Sequence, residues 1–274
     1  MHLLFRLQRT AHVVLLVTAA TSLCAKSQIC AAEPAWGHLK GQFVYDGDPP
    51  AREMLTITKD IEVCSKTPPL SEALLVNAQT HGLANVILWL DPSANTTVPV
   101  HPSYVASATK KVLLDNSGCR FEPHVCVMRP TQTLVIGNRD EVDHSAAVLL
   151  TKNDSFNVVV SKQGQQERHF KFSEKLPAPV VCPIHAWMKG YLIVKDHPYV
   201  VVTNANGEFE LQNLPEGEWT FRLWHELPAY ITEGERNGAL EKWTGGKMTV
   251  KIAAGKTNEL GTIRLKPALF AGKK

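Results

Sequence analysis

The chain has 274 residues, with 29 Lys and Arg against 26 Asp and Glu, which gives a formal net charge of +3. Arg6, Arg9 and Lys26 all precede the first acid, Glu33, so loss of an N-terminal leader would bring the net charge to about zero. Nucleic-acid binding usually needs a basic face, and this charge balance gives it no support.

The N-terminal residues have the pattern of an export signal. Two arginines are followed by the short apolar run 13–20 and then by small residues that end at Ala32. The run is too short to span a bilayer, and no later stretch is long and apolar enough for a membrane helix. We interpret residues 1–32 as a signal peptide and expect a periplasmic or secreted protein without stable membrane insertion.

Residues 36–109 predict an N-terminal β segment that ends in a linker. The run 37–45 alternates polar and apolar residues and stops at a turn that contains Gly and Pro, which predicts a strand. The run 83–90 is apolar enough to be a strand buried on both faces. We predict no chemistry in this segment. The sequence leaves open whether its first strand pairs with the unit that follows or with the C-terminal module.

Residues 110–196 predict a unit of short strands, as is typical of a Greek-key β-sandwich. Within it, Cys182, His185 and Met188 stand at intervals of three in one loop. Thiolate and thioether favour Cu(I), and imidazole tolerates both oxidation states, so this set suits a one-electron copper site. Such a site needs a second imidazole, and the candidate is His144, which follows the strand-like run 133–136.

Together these motifs resemble the cupredoxin (blue copper) family over 110–196. The spacing Cys-x2-His-x2-Met is closest to that of amicyanin, and the segments 121–123 and 134–138 resemble the first two sandwich strands of the family. The resemblance implies a protein that is not an enzyme and that carries single electrons between redox partner proteins. The chain departs from the family pattern at Ser145, because an Asn usually follows the first His.

The resemblance also implies a role for each site residue. His144, Cys182 and His185 would be the equatorial ligands of one type 1 copper ion, and Met188 would be its axial ligand. Asn138 would tie the two ligand loops together. The ring edge of His185 would face solvent, where a small apolar surface allows a redox partner to dock and leave quickly.

Residues 197–268 predict a second small β-sandwich. The run 207–217 reads Gly-x-Phe-x-Leu-x-Asn-Leu-Pro-x-Gly and resembles the carboxypeptidase regulatory-like, transthyretin-type module. That family is non-catalytic, which implies support or partner contact here. The whole chain is therefore predicted to be all-β, with a Greek-key cupredoxin sandwich followed by the second sandwich module.

Four cysteines follow the predicted leader, and Cys182 is assigned to the metal site. An exported protein is expected to form a disulfide among Cys64, Cys119 and Cys126, and three pairings are open. We favour Cys64 with Cys119, because Cys126 lies inside the strand-like run 125–127.

Other interpretations of the ligand loop fit its residues less well, and a dinuclear purple copper site is excluded. Zinc accepts Cys and His but not Met, and a dinuclear purple copper site would need a second cysteine where Ala178 stands. A Cys–His nucleophile lacks an orienting third group. A copper-delivery or copper-sensing protein, or a structural secreted β protein without metal, would share many of these features. We interpret His124 as a structural histidine that forms hydrogen bonds and Trp187 as a packing residue.

Overall fold

The computed structural model describes residue 2 and residues 35–271, so the predicted signal peptide at 1–32 lies outside the described residues apart from His2. The described part of the chain is almost entirely β, which confirms the all-β prediction. None of the helices in these residues is long and apolar enough to cross a membrane.

The strands, in chain order, are β1 (Trp36–Tyr45), β2 (Ile87–Leu90), β3 (Lys111–Asn116), β4 (Phe121–Glu122), β5 (Val125–Met128), β6 (Thr133–Asn138), β7 (His144–Val148), β8 (Phe156–Val160), β9 (Gln165–His169), β10 (Ala178–Val181), β11 (Lys189–Val194), β12 (Val200–Val202), β13 (Glu208–Pro215), β14 (Gly217–His225), β15 (Ala229–Tyr230), β16 (Glu233–Arg236), β17 (Ala239–Lys242), β18 (Lys247–Ile252) and β19 (Thr257–Leu265). Helical structure among the described residues is limited to α1 (Ile61–Cys64) and to 3-10 turns at Pro102–Ser107, Thr244–Gly246 and Pro267–Leu269.

The first sandwich consists of the sheet β4-β3-β6-β9 and the sheet β5-β11-β10-β7-β8. Side chains alternate between the two faces of a strand, and on β6 this alternation directs Leu134 and Ile136 into the core between the sheets, where Ala146 and Val180 meet them from the other sheet. All four are fully buried. Each large aliphatic side chain buried in this way contributes about 1.5–3 kcal/mol of hydrophobic stabilisation.

The second sandwich consists of the sheet β13-β1-β19-β16-β17 and a sheet in which β12, β2, β14 and β15 follow one another, with β18 paired to β14. β1 pairs antiparallel with β13 and parallel with β19. The partner of the first strand, which the sequence left open, is therefore the C-terminal module. Leu39 and Phe43 of β1 are fully buried in the core of this second sandwich.

β2 connects the two cores. Its residues Leu88 and Leu90 point into the second sandwich, whereas Ile87 and Trp89 pack against Ile193 of the first sandwich. The whole strand is buried, which confirms the prediction of a strand covered on both faces.

The ends of β6 and β10 place two loops at the same edge of the first sandwich. β7 and β10 are antiparallel neighbours, with Val181 opposite Ala147. The start of β7, at His144, therefore lies beside the end of β10, from which the loop 182–188 runs into β11. Residues that are 37 or more positions apart in sequence meet there because the two strands share a ladder.

A long connection between β1 and β2 folds into a closed loop, residues 52–71, which we call the cap. The cap is closed at its base, where Arg52 donates hydrogen bonds to the carbonyl oxygens of Leu70 and Ser71 at 2.9 and 2.8 Å. Met54 and Leu70 form an isolated β-bridge at the same place. These contacts hold the two ends of the cap together.

The far end of the cap carries α1 and is covalently bound to the first sandwich. Cys64, the last residue of α1, forms a disulfide with Cys119, which lies between β3 and β4. This pairing confirms the favoured choice among the three. Cys126 is buried and has a free thiol.

Candidate metal centre

Three side chains from two distant segments converge at the edge of the first sandwich. One donor atom each from His144, Cys182 and His185 lies within 4.8 Å of the others. The Nδ1 atoms of the two imidazoles are 2.9 Å apart, and Cys182 Sγ is 3.7 Å from His185 Nδ1. None of the three side chains is more than 1% exposed. Two nitrogens and one sulfur therefore face a common point that is closed to solvent.

The loop 182–188 is a tight turn held by its own backbone. The N–H of Cys182 donates to the carbonyl of Met188 at 3.3 Å, and the N–H of Met188 donates to the carbonyl of His185 at 2.9 Å. The N–H of His185 in turn donates to the carbonyl of Cys182 at 3.2 Å. These bonds fix all three loop residues of the predicted ligand set relative to one another, and they place Met188 in a buried position.

The outer nitrogen of each imidazole is bound by a carboxylate. His144 Nε2 is 2.9 Å from Asp140 Oδ2, and His185 Nε2 is 2.8 Å from Asp60 Oδ2. A carboxylate only accepts hydrogen bonds, so both Nε2 atoms carry protons and both Nδ1 atoms are directed to the centre. Carboxylates fix metal-binding histidines in protein sites in this way, with one ring nitrogen on the metal and the other held from behind.

Asp140 is itself held in place by backbone donors. The N–H groups of Gly118 and Cys119 donate to its two carboxylate oxygens at 2.7 and 2.8 Å. Burial alone would raise the pKa of Asp140, but the hydrogen bond from His144 and these two backbone bonds outweigh it, and the pKa is lowered. The carboxylate thus stays charged and keeps the His144 ring in one orientation.

The Nδ1 atoms of the two imidazoles are 2.9 Å apart, a contact in which one of them must donate a proton to the other. Burial alone would lower the pKa of His144, but its contacts with Asp140 and Cys182 raise it to about 9. For His185, burial and the neighbouring charge of His144 outweigh the hydrogen bond to Asp60, and the pKa is lowered. His144 is therefore the protonated member, and that proton would leave when a cation binds, because metal ligands must be deprotonated.

The pKa of the Cys182 thiol is lowered, which favours the thiolate form. Burial alone would raise its pKa, but the contact with His144 and hydrogen bonds from backbone N–H groups, including that of Ser145, lower it. The Ser145 N–H lies 3.3 Å from Cys182 Sγ. Ser145, the position at which the chain departs from the family pattern, therefore contributes a backbone donor that any residue other than proline could supply.

The expectation that His185 presents its ring edge to solvent is wrong. The side chain has no exposed surface, because the cap folds over it and Asp60 occupies the position in front of Nε2. The expectation that residues 36–109 take no part in the site is wrong for the same reason. The favoured pairing of Cys64 with Cys119 was a partial signal, because it draws the segment around Cys64 towards the ligand loops; only α1, which places Asp60 one helical turn before Cys64, shows which residue arrives there.

Asn138 does not tie the two ligand loops together as expected. Its side-chain amide donates to the carbonyls of Val142 and Val160 at 2.8 and 2.9 Å, and its oxygen accepts from the N–H of Asp140 at 3.0 Å. Among the described residues, its side chain makes no hydrogen bond to 182–188. Asn138 shapes the His144 loop and joins it to β8, and the direct links between the two ligand loops are the bond from Ser145 N–H to the Cys182 sulfur and the contact between the Nδ1 atoms of His144 and His185.

His124 lies apart from this centre. Its Nε2 is 2.6 Å from Glu226 Oε1 of the second sandwich, and the side chain is buried. Trp187 is half-buried, with its ring 5.0 Å from that of His185. The positions of both residues agree with the structural interpretations given to them.

No family model matches the chain, and no curated protein matches it. Among solved structures, a Cu-containing nitrite reductase (NirK) from Thermus scotoductus SA-01 is 19% identical over 39% of this chain and 25% of its own, with a TM-score of 0.28. This chain thus spans a quarter of that reductase.

Two smaller proteins match over nearly their whole length. A purple cupredoxin from Nitrosopumilus maritimus is 17% identical over 31% of this chain and 99% of its own, with a TM-score of 0.26. A proline-to-glycine mutant of amicyanin, solved in a reduced Cu(I) form at pH 4, is 16% identical over 36% of this chain and 97% of its own, with a TM-score of 0.28. At these TM-scores the assignment of the site depends on its own geometry.

The residues present fit a soft or borderline metal ion. Two imidazole nitrogens and a thiol sulfur that converge on one point are ligands typical of copper and zinc, whereas Mg²⁺ and Ca²⁺ prefer oxygen. The carboxylates behind the two rings and the backbone N–H at the sulfur are the supporting contacts that such a site needs.

Proposed function

We propose that the protein is an exported type 1 copper protein that carries single electrons between redox partner proteins and is not itself an enzyme. His144, Cys182 and His185 would be the equatorial ligands of one copper ion, and Met188 its axial ligand. Copper, when bound, supplies reversible one-electron transfer. The observation that carries the proposal is the meeting of His144 with Cys182 and His185, because these residues belong to segments that only the fold brings together.

The nature of the donors supports copper over zinc. A trigonal set of two imidazoles and one thiolate with a thioether nearby matches blue-copper sites, whereas tetrahedral zinc sites do not use Met. Met188 is buried in the same turn as Cys182 and His185. The chain would hold Cys182 as a thiolate through the Ser145 N–H and would orient both imidazoles through Asp60 and Asp140.

The rigidity of the site supports electron transfer over chemistry on a substrate. Both imidazoles, the sulfur and the turn 182–188 are held by hydrogen bonds and are closed to solvent. A site that changes little between two oxidation states transfers electrons readily, and a closed site leaves no position for a reacting molecule. The same closure favours retention of the copper ion. A copper-delivery protein would instead have to release the ion to its partner.

The disulfide supports an exported location. Disulfides form and persist in oxidising compartments such as the bacterial periplasm and are rare in reducing ones. The Cys64–Cys119 bond therefore agrees with the signal peptide predicted at 1–32. Partner proteins would meet the centre through the cap and the ligand loop, which lie between it and the solvent.

A copper titration followed by visible spectroscopy tests the proposal. Cu(II) added to the metal-free protein should give an intense blue colour, because the cysteine thiolate transfers charge to the ion. Cys182→Ala should abolish the colour. Cys126→Ala is the matched control, since Cys126 is a second buried free thiol outside the centre, and it should keep the colour. A wild-type protein that binds copper but stays colourless would contradict the assignment.

Voltammetry of the loaded protein separates the electron carrier from a copper-delivery protein. Reversible one-electron cycling at constant copper occupancy is expected for a carrier. Copper that leaves the protein on each reduction would instead indicate delivery.

A further inference from the structure

The cap places one carboxylate in front of the imidazole that we expected to be exposed. Asp60 Oδ2 is 2.8 Å from His185 Nε2, and about a third of the Asp60 side chain is accessible to solvent while His185 has no exposed surface. The Asp60 side chain therefore separates the His185 ring from the solvent. A docking protein would touch the cap and not the imidazole.

The local fold of the cap fixes the position of Asp60. Asp60 adopts left-handed backbone angles, φ 49° and ψ 42°, at the start of α1; Asp is one of the few non-glycine residues that adopt this region with some frequency. Its carbonyl accepts hydrogen bonds from Val63 and Cys64 at 3.0 and 2.9 Å. The carboxylate and the disulfide cysteine are thus held in one short turn.

A single covalent bond connects the supports of both imidazoles. The disulfide joins Cys64, at the end of α1, to Cys119. The N–H of Cys119 donates to Asp140, and Asp140 binds His144 Nε2. From the other end of α1, Asp60 binds His185 Nε2. The disulfide, α1 and the two carboxylates therefore form a closed ring of contacts around the centre.

Apolar contacts seat the cap on the first sandwich. Ile57 and Val63, on either side of Asp60, pack against the core of that sandwich, which also contains Cys182 and Met188. The cap is thus attached by side-chain packing as well as by the disulfide, and it forms part of the wall of the centre.

On the basis of the copper site proposed above, we propose that the cap, residues 52–71, is a lid that keeps the ion in the centre, with Asp60 as the residue that positions and shields His185. Copper exchange then requires the lid to open. An electron partner then reaches the centre through the Asp60 carboxylate and the surface of α1, and not through a bare imidazole edge.

Chemical modification of the metal-free protein tests the shield without any metal. Diethyl pyrocarbonate modifies accessible imidazoles, and the modified residues can be mapped by mass spectrometry. In the wild type, His185 should stay unmodified while the exposed His169 reacts. In Asp60→Ala, His185 should react at a rate comparable with that of His169. Asp60→Asn keeps a group of the same size in place, so it should restore most of the protection.

Glu62→Ala is the matched control for that experiment. Glu62 is an exposed acid in the first turn of the same helix, close to Asp60 in sequence. This variant should leave His185 as protected as in the wild type. Modification of His185 in the wild type at the rate of His169, or an unchanged pattern in Asp60→Ala, would overturn the proposal.

The rate of copper loss to excess EDTA provides the second test. Asp60→Ala should release copper about tenfold faster or more, because removal of the partner behind a ligating histidine weakens metal affinity by about 10–100-fold and, in a site that has lost its shield, this loss falls on the dissociation rate. The pair Cys64→Ser with Cys119→Ser should do the same, and Glu62→Ala should not. Equal release rates in all four proteins would overturn the lid. A protein that binds no copper but shows the expected modification pattern would refute the copper site and leave the shield standing.

Discussion

Removal of the cap disulfide should destabilise the metal-free protein by about 4 kcal/mol. The bond closes a loop between two cysteines that are 55 positions apart. In the chain-entropy treatment, freeing a loop of that length in the unfolded ensemble costs about 4 kcal/mol of folding stability at 25 °C. For a protein of this size, the midpoint of thermal unfolding should fall by roughly 8–16 °C. The variant that lacks this disulfide is the double substitution Cys64→Ser with Cys119→Ser.

Urea unfolding monitored by tryptophan fluorescence measures this loss. Wild type and double variant should both be compared without metal, so that ligand binding does not add to the difference. The slope of the free energy with urea should rise in the variant, because an unfolded chain without the cross-link exposes more surface. Cys126→Ala, which leaves the disulfide intact, serves as the control for loss of a cysteine. A loss below about 1 kcal/mol, with an unchanged slope, would refute the loop-entropy reasoning.

Three further predictions concern single side chains. Burial alone would lower the pKa of His124, but its contacts, above all the hydrogen bond to Glu226, raise the pKa to about 9. Because the folded pKa lies above the unfolded value, protonated His124 contributes roughly 3 kcal/mol to folding stability. This contribution should be fully present below about pH 6.5 and lost towards pH 9. Urea unfolding of the metal-free protein across this range should show the loss, and His124→Gln should reduce it by about that amount, with the remainder due to His144, whose pKa is also raised to about 9. Asp140→Asn should weaken copper binding by about 10–100-fold in a competition titration, because it removes the carboxylate behind His144. Met188→Leu should keep copper but change the redox potential measured by voltammetry, since an axial ligand tunes the potential; complete loss of copper would count against a weak axial role.

The sequence predicted the parts of the site that depend on local order. Cys182, His185 and Met188 occupy one short turn, so their spacing alone indicates that they lie together. The approach of His144 could be anticipated as well, because it begins a strand directly after the loop that follows another strand. The loop spacing follows from local sequence, whereas the choice of His144 also depended on the need of a copper site for a second imidazole and on the resemblance to the cupredoxins, because β6 and β7 belong to different sheets.

The predictions that failed concern contacts between distant segments of the chain. Asp60 lies 125 positions from His185, and nothing in the local pattern around it indicates a partner. Asn138 was assigned a role between two loops by resemblance, but its amide is used within the His144 loop and by β8. Among the contacts of the cap, the disulfide was the one that composition and chemistry could suggest, and its consequence for Asp60 requires knowing that α1 joins the two residues in one turn.

The path of the chain explains why the lid belongs to the N-terminal segment. β1 and β2 flank the cap, and both are strands of the second sandwich. The chain therefore leaves the second sandwich, crosses to the cluster of His144, Cys182 and His185 in the first, and returns. The base of the cap is anchored by strands whose partners belong to the C-terminal module, and its tip by the disulfide to Cys119. The C-terminal module thus has a physical role in the centre without contributing a residue to it: its sheets hold the two ends of the segment that closes over His185.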